Sequence, residues 1–119
     1  MTTEDPSPPG HVRELGAIPS VEVISRAALM LMSSAAERLG LSDAPGHRDL
    51  DEARRLITAL AGLVTASAEY LGPHAAAVRD GLQSLQRAFR EESVVPDEPG
   101  QGPGEKWTGP VVALRRETP

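Results

Sequence analysis

The sequence contains no cysteine, and aromatic residues make up only 3% of its 119 residues. Without cysteine the chain can form no disulfide bond, no thiolate nucleophile and no cysteine-ligated zinc or iron–sulfur site. With one Trp, one Tyr and one Phe, any hydrophobic core must consist mainly of Leu, Ile, Val, Met and Ala. These absences exclude several enzyme and metalloprotein classes before any motif is considered.

Long apolar segments and basic segments are also absent. The longest uncharged run, Leu56–Ala68, is 13 residues and is too short to cross a membrane. The N-terminus has neither the basic nor the apolar region of a secretory signal. The net charge is −5, and no segment offers the positive charge that attracts nucleic acid. We therefore expect a cytoplasmic protein that binds neither membranes nor nucleic acid.

Glycine and proline, 11 of each, are unevenly distributed. Fifteen of them lie in the two end segments, 1–19 and 93–119, whose composition is typical of disordered chain. The stretch between them, 20–92, carries nearly all the periodic apolar sequence. We predict a disordered N-terminal arm over 1–19, a folded domain over 20–92 and a disordered C-terminal tail over 93–119.

The apolar spacing within the folded domain predicts an all-α unit of three helices. Ser20 is expected to cap the first helix, and Gly40 to end it. Asp49 and Glu52 have the spacing of a capping box at the start of the second helix, and Gly72-Pro73 separates it from the third. We predict a helical hairpin with an outer third helix, the three helices covering residues 20–39, 50–71 and 74–91.

The second helix has small, uncharged residues opposite its apolar stripe, including Gly62. This face is either an exposed, mildly polar surface or a place where another helix packs closely. A monomer of this size buries only about 60% of its unfolded surface, too little to hide two helices that are apolar all round. We therefore predict a symmetric homodimer. Its predicted interface residues are Leu29, Met32, Ala36, Ala59, Gly62 and Ala66. Gly81 in the third helix has no explanation from the sequence.

The C-terminal tail contains one short apolar segment, residues 107–116, beyond its Pro- and Gly-rich part. Apolar anchors on a flexible tether are typical of a segment that orders when it binds a partner. The segment could equally dock on its own helices or have no role. The residues that would bind a partner are Trp107, Val111, Val112, Leu114, Arg115 and Arg116.

Residues suited to metal binding or catalysis are few. His47, Asp49 and Asp51 have a spacing compatible with a metal site, but capping and the positive end of the helix explain the acidic residues better. Neither His11 nor His74 has partners at a spacing that indicates a catalytic triad. We expect no metal, no cofactor, no catalytic residues and no enzymatic activity.

Three segments, Ala35–Leu41, Asp49–Ile57 and Leu85–Phe89, resemble the bacterial DUF1844 family, a domain of unknown function. The resemblance covers 21–92 and departs from the family at Thr58, where members commonly have an acidic residue. It implies a small, cytoplasmic, helical protein and carries no catalytic residues. The sequence favours a non-enzymatic, homodimeric interaction module; the alternative is a helical protein that binds a small ligand or a metal.

Overall fold

The computed structural model describes residues 15–42 and 45–112, which form helices and turns without any strand. Most of the predicted N-terminal arm therefore lies outside the described residues. The predicted all-α class is confirmed for the described part of the chain, where no helix combines the length and apolar content needed to cross a bilayer. The helices that follow Pro19 are α1 (Ser20–Arg38), α2 (Leu50–Ser67), α3 (Ala75–Glu92) and the one-turn α4 (Glu105–Thr108).

Helix α1 begins directly after a proline. Pro19, with φ −57° and ψ 144°, occupies the N-cap position, and its carbonyl accepts hydrogen bonds from the N–H groups of Glu22 and Val23. The expectation that Ser20 caps this helix is therefore wrong. Proline stops the helix from extending backwards, and the first helical residue is Ser20 itself.

Helix α1 ends at a glycine, as predicted. Gly40 has φ +83°, and its N–H donates to the carbonyl of Glu37. The N–H of Leu41 donates to the carbonyl of Ala36. This pair of bonds is a Schellman motif, which glycine forms without the strain that a side chain would add.

Helix α2 begins at Leu50 and is capped by Asp49, whose Oδ1 accepts the N–H of Glu52 at 3.1 Å. The cap is confirmed, but the reciprocal capping box is not formed. The N–H of Asp49 donates instead to the carbonyl of Arg38 at 2.7 Å, and the carboxylate of Glu52 pairs with Arg55 at 2.7 Å. The carbonyl of Arg38, at the end of α1, therefore accepts the N–H of Asp49 that a capping box would direct to the side chain of Glu52.

Helix α2 ends at Ser67, four residues before the predicted end. The chain continues through two 3₁₀ turns, Ala68–Tyr70 and Gly72–His74, before α3 starts at Ala75. Leu71, between the two turns, is buried at 1% exposure. The non-helical residues at this joint therefore still contribute to the core.

The core is aliphatic. Helix α1 packs most extensively on α2, and α3 contacts both. Phe89 is the one aromatic side chain in the core, since Tyr70 and Trp107 are both exposed. The principal core residues are Ala28, Ala35, Leu39, Ala53, Ile57, Leu60, Val64, Val78, Leu82 and Phe89.

Gly81 of α3 lies against Met32 of α1. A Cβ at this position would overlap the methyl group of Met32, whose sulfur would lie 3.3 Å from it. Met32 therefore occupies the space that a side chain on residue 81 would need. This contact supplies the packing reason for Gly81 that the sequence does not reveal.

Residues beyond 92 differ from the predicted disordered tail. The structure describes them as far as residue 112, and the segment from Gly102 to Glu105 is buried. Helix α4 contacts α2. Composition predicts disorder because it reflects local propensity, whereas this segment is held by side chains of α3 that are distant in sequence. Residues 113–119 lie outside the described residues.

Candidate interaction site

Arg90, in the last turn of α3, anchors the C-terminal segment. The helical pattern places Arg90 on the polar face, yet its side chain is only 9% exposed. Its Nε and Nη2 donate to the two carboxylate oxygens of Glu105 at 2.8 and 2.7 Å. The side chain of Glu105 is fully buried, and a buried carboxylate without a partner would be destabilising. The two hydrogen bonds from Arg90 offset that cost.

The remaining donors of Arg90 hold the loop that precedes Glu105. Nη1 donates to the carbonyl of Asp97 at 2.6 Å, and Nη2 donates to the carbonyl of Glu98 at 3.0 Å. The N–H of Gly100 donates to the carboxylate of Glu105 at 3.0 Å. The loop is therefore wrapped around a single guanidinium group.

The ionisation of Glu105 is coupled to this geometry. Burial alone would raise the pKa of Glu105, because it penalises the charged form. The hydrogen bonds and positive charge of Arg90, with the backbone N–H groups of Gly100 and Gly102, outweigh burial and hold the pKa below its ordinary value. The same hydrogen bonds raise the pKa of Arg90. Both groups are therefore charged at neutral pH.

Arg54 of α2 makes a second connection to the segment. Its Nη2 donates to both carboxylate oxygens of Asp97, at 3.2 and 3.1 Å. Its guanidinium carbon lies 4.8 Å from the centre of the Phe89 ring, a cation–π distance. Because the side chain of Arg54 is 43% exposed, this pair contributes less than the buried pair at Arg90.

Gln86 and Gly104 form the tightest part of the contact. The Nε2 of Gln86, which is fully buried, donates to the carbonyl of Pro103 at 3.0 Å and to Oγ1 of Thr108 at 3.1 Å. Gly104 has φ +77°, and a Cβ on it would overlap the Cβ of Ala61. Only glycine satisfies both the backbone angle and the lack of space.

Helix α4 covers part of the small-residue face of α2. A methyl group on Gly62 would lie 3.9 Å from Cζ3 of Trp107. Trp107 remains 46% exposed, and Nζ of Lys106 lies 5.0 Å from the centre of its ring. Gly62, predicted to receive a helix of a second copy, thus faces α4 of its own chain.

Of the residues predicted to bind a partner through the tail, Trp107 lies beside Gly62, but the buried contacts that dock the tail are made by other residues. Trp107 is half exposed, Val111 is half-buried and Val112 is 73% exposed. Leu114, Arg115 and Arg116 lie outside the described residues. Self-docking is what the structure shows for the described part of the tail, and it is centred on Glu105. No sequence spacing connects Glu105 to Arg90, so only the folded chain identifies this pair.

The predicted dimer residues divide into two groups. Leu29, Ala59 and Ala66 are exposed and available to a second chain. Ala36 is half-buried, while Met32 and Gly62 contact other residues of the same chain, Gly81 and Trp107 respectively.

The candidate metal residues have local roles or are exposed: Asp49 caps α2, and His47 and Asp51 are exposed. Over 15–42 and 45–112, no three acidic or histidine side chains are grouped so that they could hold a metal ion.

Together these contacts define a small all-α domain with a C-terminal segment docked on its third helix. The family described as a domain of unknown function, DUF1844, matches residues 20–91, more than half of the chain, and the chain belongs to this family. The resemblance seen in the sequence is thereby confirmed. Neither the curated proteins nor the solved structures include a match. Arg90 lies inside the matched stretch and its partner Glu105 lies outside it.

Proposed function

We propose that the chain is a non-enzymatic protein-interaction module that forms a homodimer through the outward face of α1 and α2. The observation that carries this proposal is that apolar residues on the outward face of both helices are exposed in the described part of the chain. On α1, Val23 and Met30 are exposed, Met30 at 74%. On α2, Ala59 and Ala66 are exposed at the spacing of two helical turns, with Leu63 half-buried between them.

The position of this stripe follows from helical geometry. Met30 lies two residues before Met32, and Ala59 two residues before Ala61, so each pair is separated by about 200° around its helix. Met32 contacts Gly81 of α3, and Ala61 contacts Gly104 of the docked segment. We infer that Met30 and Ala59 face away from α3 and the tail, on the side where the hairpin has no cover.

The composition of this face favours association with a copy of itself. On α1 no charged residue occurs between Arg26 and Glu37, and on α2 none occurs between Arg55 and Glu69. A second chain would therefore bury apolar side chains without stripping water from charged groups. A two-fold-related copy would bring the same apolar face against itself, because an isologous interface uses one patch twice. This interface retains Ala59 and Ala66 of the predicted set and replaces Met32 and Gly62, which are used internally.

Light scattering coupled to size-exclusion chromatography tests the dimer. We expect the wild-type chain to elute at twice its 12.6 kDa mass. Met30→Glu combined with Ala66→Glu should give the monomer mass, because both charges would be buried at the interface without partners. Ser84→Glu, at an exposed position of α3, adds the same charge on another face and should leave the dimer intact. A monomeric wild-type chain would refute the proposal.

A further inference from the structure

The groove between α2 and α3 that holds the tail is larger than the tail. An open cleft of about 220 Å³ lies on one side of Trp107, where Arg79 and Thr65 contribute to its lining. A second cleft, of about 200 Å³, lies on the other side, where Arg54 and Thr58 contribute. The docked segment therefore leaves room along both of its edges.

The charged residues that α2 and α3 contribute to the two clefts are all arginines. The lining of the first cleft includes Arg79, that of the second includes Arg54, and Arg90 lies beneath the loop between α3 and α4. Neither cleft lining includes an acidic residue. Arg54 and Arg90 are paired with acidic residues of the tail itself, Asp97 and Glu105, so without the tail the groove would present both arginines to a carboxylate-bearing peptide.

The docked tail leaves one hydrogen-bond acceptor of the groove, on Gln86, without a donor. The carbonyl of Pro103 can only accept, so its bond to Nε2 fixes the orientation of the Gln86 amide. Oε1 of the same amide is buried, and no donor among the described residues reaches it. A buried acceptor without a donor is costly, and a peptide that placed an N–H or hydroxyl group there would fit better than the tail does.

The connection between tail and helix permits release. Val94 and Val95, which follow α3, are 96% and 83% exposed. The buried part of the segment is short, running from Gly102 to Glu105, and it is held mainly by the polar contacts of Arg90 and Gln86. The buried residues 102–105 are thus joined to α3 by a connection in which Val94 and Val95 are exposed.

We propose that this groove is a peptide-binding site for an acidic, glycine-containing turn of a partner protein, and that the chain's own tail occupies it in cis until the partner displaces it. The partner's carboxylate takes the place of Glu105 on Arg90. Its glycine takes the place of Gly104 against Ala61, and one of its donors reaches Oε1 of Gln86. On α2, Ala61, which lies against Gly104, is about 200° around the helix from Ala59 of the proposed dimer face.

A peptide added in trans to the full-length chain tests the site. The probe is a fluorescein-labelled synthetic peptide of residues 96–109, and binding is measured by fluorescence anisotropy. The wild-type chain should bind it weakly, because the tethered tail competes at a high effective concentration. Full-length Glu105→Gln, whose own tail is weakened, should bind the wild-type peptide at least ten-fold more tightly. A peptide that itself carries Glu105→Gln should not bind.

Two controls make the result specific. Glu98→Gln removes the same charge from an exposed residue in the loop before α4 and should behave as wild type. Adding Arg90→Met to the Glu105→Gln chain should abolish peptide binding while far-UV circular dichroism shows unchanged helicity. If the helical Glu105→Gln chain does not bind the peptide, or binds it no more tightly than wild type, the proposal is overturned.

A second copy of the chain is the competing occupant. If copies exchanged tails, the wild-type mass in light scattering would exceed that of Glu105→Gln at the same concentration. We expect equal masses. A higher wild-type mass would overturn the assignment of the groove to a partner protein.

Discussion

Gly104 of the C-terminal segment lies directly against Ala61 of α2, with no space between them for a Cβ atom. Gly104→Ala should therefore release the segment. The substitution places a side chain at φ +77°, which costs about 1–3 kcal/mol, and adds the overlap with Ala61. Because Trp107 is the chain's one tryptophan, its fluorescence reports docking, and we expect its emission to shift to the red.

Gly100→Ala is the matched control for this prediction. Gly100 has φ +83°, close to that of Gly104, but a Cβ on it would meet open space. Gly100→Ala carries the same cost of a side chain at positive φ but causes no overlap with a neighbouring residue. Gly104→Ala, which has both effects, should therefore release the tail to a greater degree. Equal effects of the two substitutions would show that the contact with Ala61 does not hold the segment.

Docking of the tail should be sensitive to acid. The pKa of Glu105 is lower in the docked state than in the free tail, so its contribution to stability is fully present above the ordinary carboxyl pKa of about 4.3. This contribution is lost as the pH falls through the lowered pKa. We expect constant Trp107 emission from pH 8 to about 5 and a red shift below about pH 4.

Global acid unfolding could produce a similar optical change, so helicity is measured in parallel by circular dichroism. Glu105→Gln should remove the acid-dependent step in the Trp107 emission, because no carboxylate then titrates beneath Arg90. A step of the same size and midpoint in this variant would assign the titration to another group.

The helices are predictable from the sequence because their signals are local. Apolar spacing, the Asp49 cap and the left-handed residue at Gly40 all act within a few residues of the helix that they define. The structure accordingly places α1 and α3 within about a residue of the predicted bounds. The end of α2 differs because the core retains Leu71 beyond the last helical turn.

Docking of the tail on its own helices was one of the alternatives open from the sequence, but the contacts that dock it were not predictable because they are not local. Glu105 lies in a Pro- and Gly-rich segment whose composition is typical of disorder, and its partner Arg90 has the position of a solvent-exposed residue on α3. The reason for Gly81 lies likewise in Met32, on another helix. Such pairs depend on tertiary packing, which the periodicity of one helix does not encode.

Asp49 should matter more than Glu52 at the start of α2. Asp49→Ala removes the bond to the N–H of Glu52 and should cost about 1 kcal/mol in the free energy of unfolding. Glu52→Ala should cost only a few tenths of a kcal/mol, about the value of its exposed pair with Arg55. Urea unfolding measures both. Similar costs would mean that a reciprocal capping box does form.

The two glycines inside helices should respond differently to substitution by alanine. Gly62→Ala should stabilise the chain by about 1 kcal/mol, because its methyl group fits beside Trp107 and alanine favours the helix. Gly81→Ala gains the same helix propensity but displaces the methyl group of Met32, so we expect no net stabilisation.

The Met32→Ala chain tests whether the Met32 side chain is what prevents Gly81→Ala from stabilising the protein. With the Met32 side chain shortened, Gly81→Ala should become stabilising by about 1 kcal/mol, since its methyl group enters the vacated space. The double-mutant cycle should therefore show a coupling of about 1 kcal/mol between residues 32 and 81. Urea unfolding of the four chains gives this value directly, and additive effects would show that α1 and α3 do not meet at this contact. The sign matters as well: because the methionine and the added methyl group compete for one space, each substitution should be better tolerated in the presence of the other.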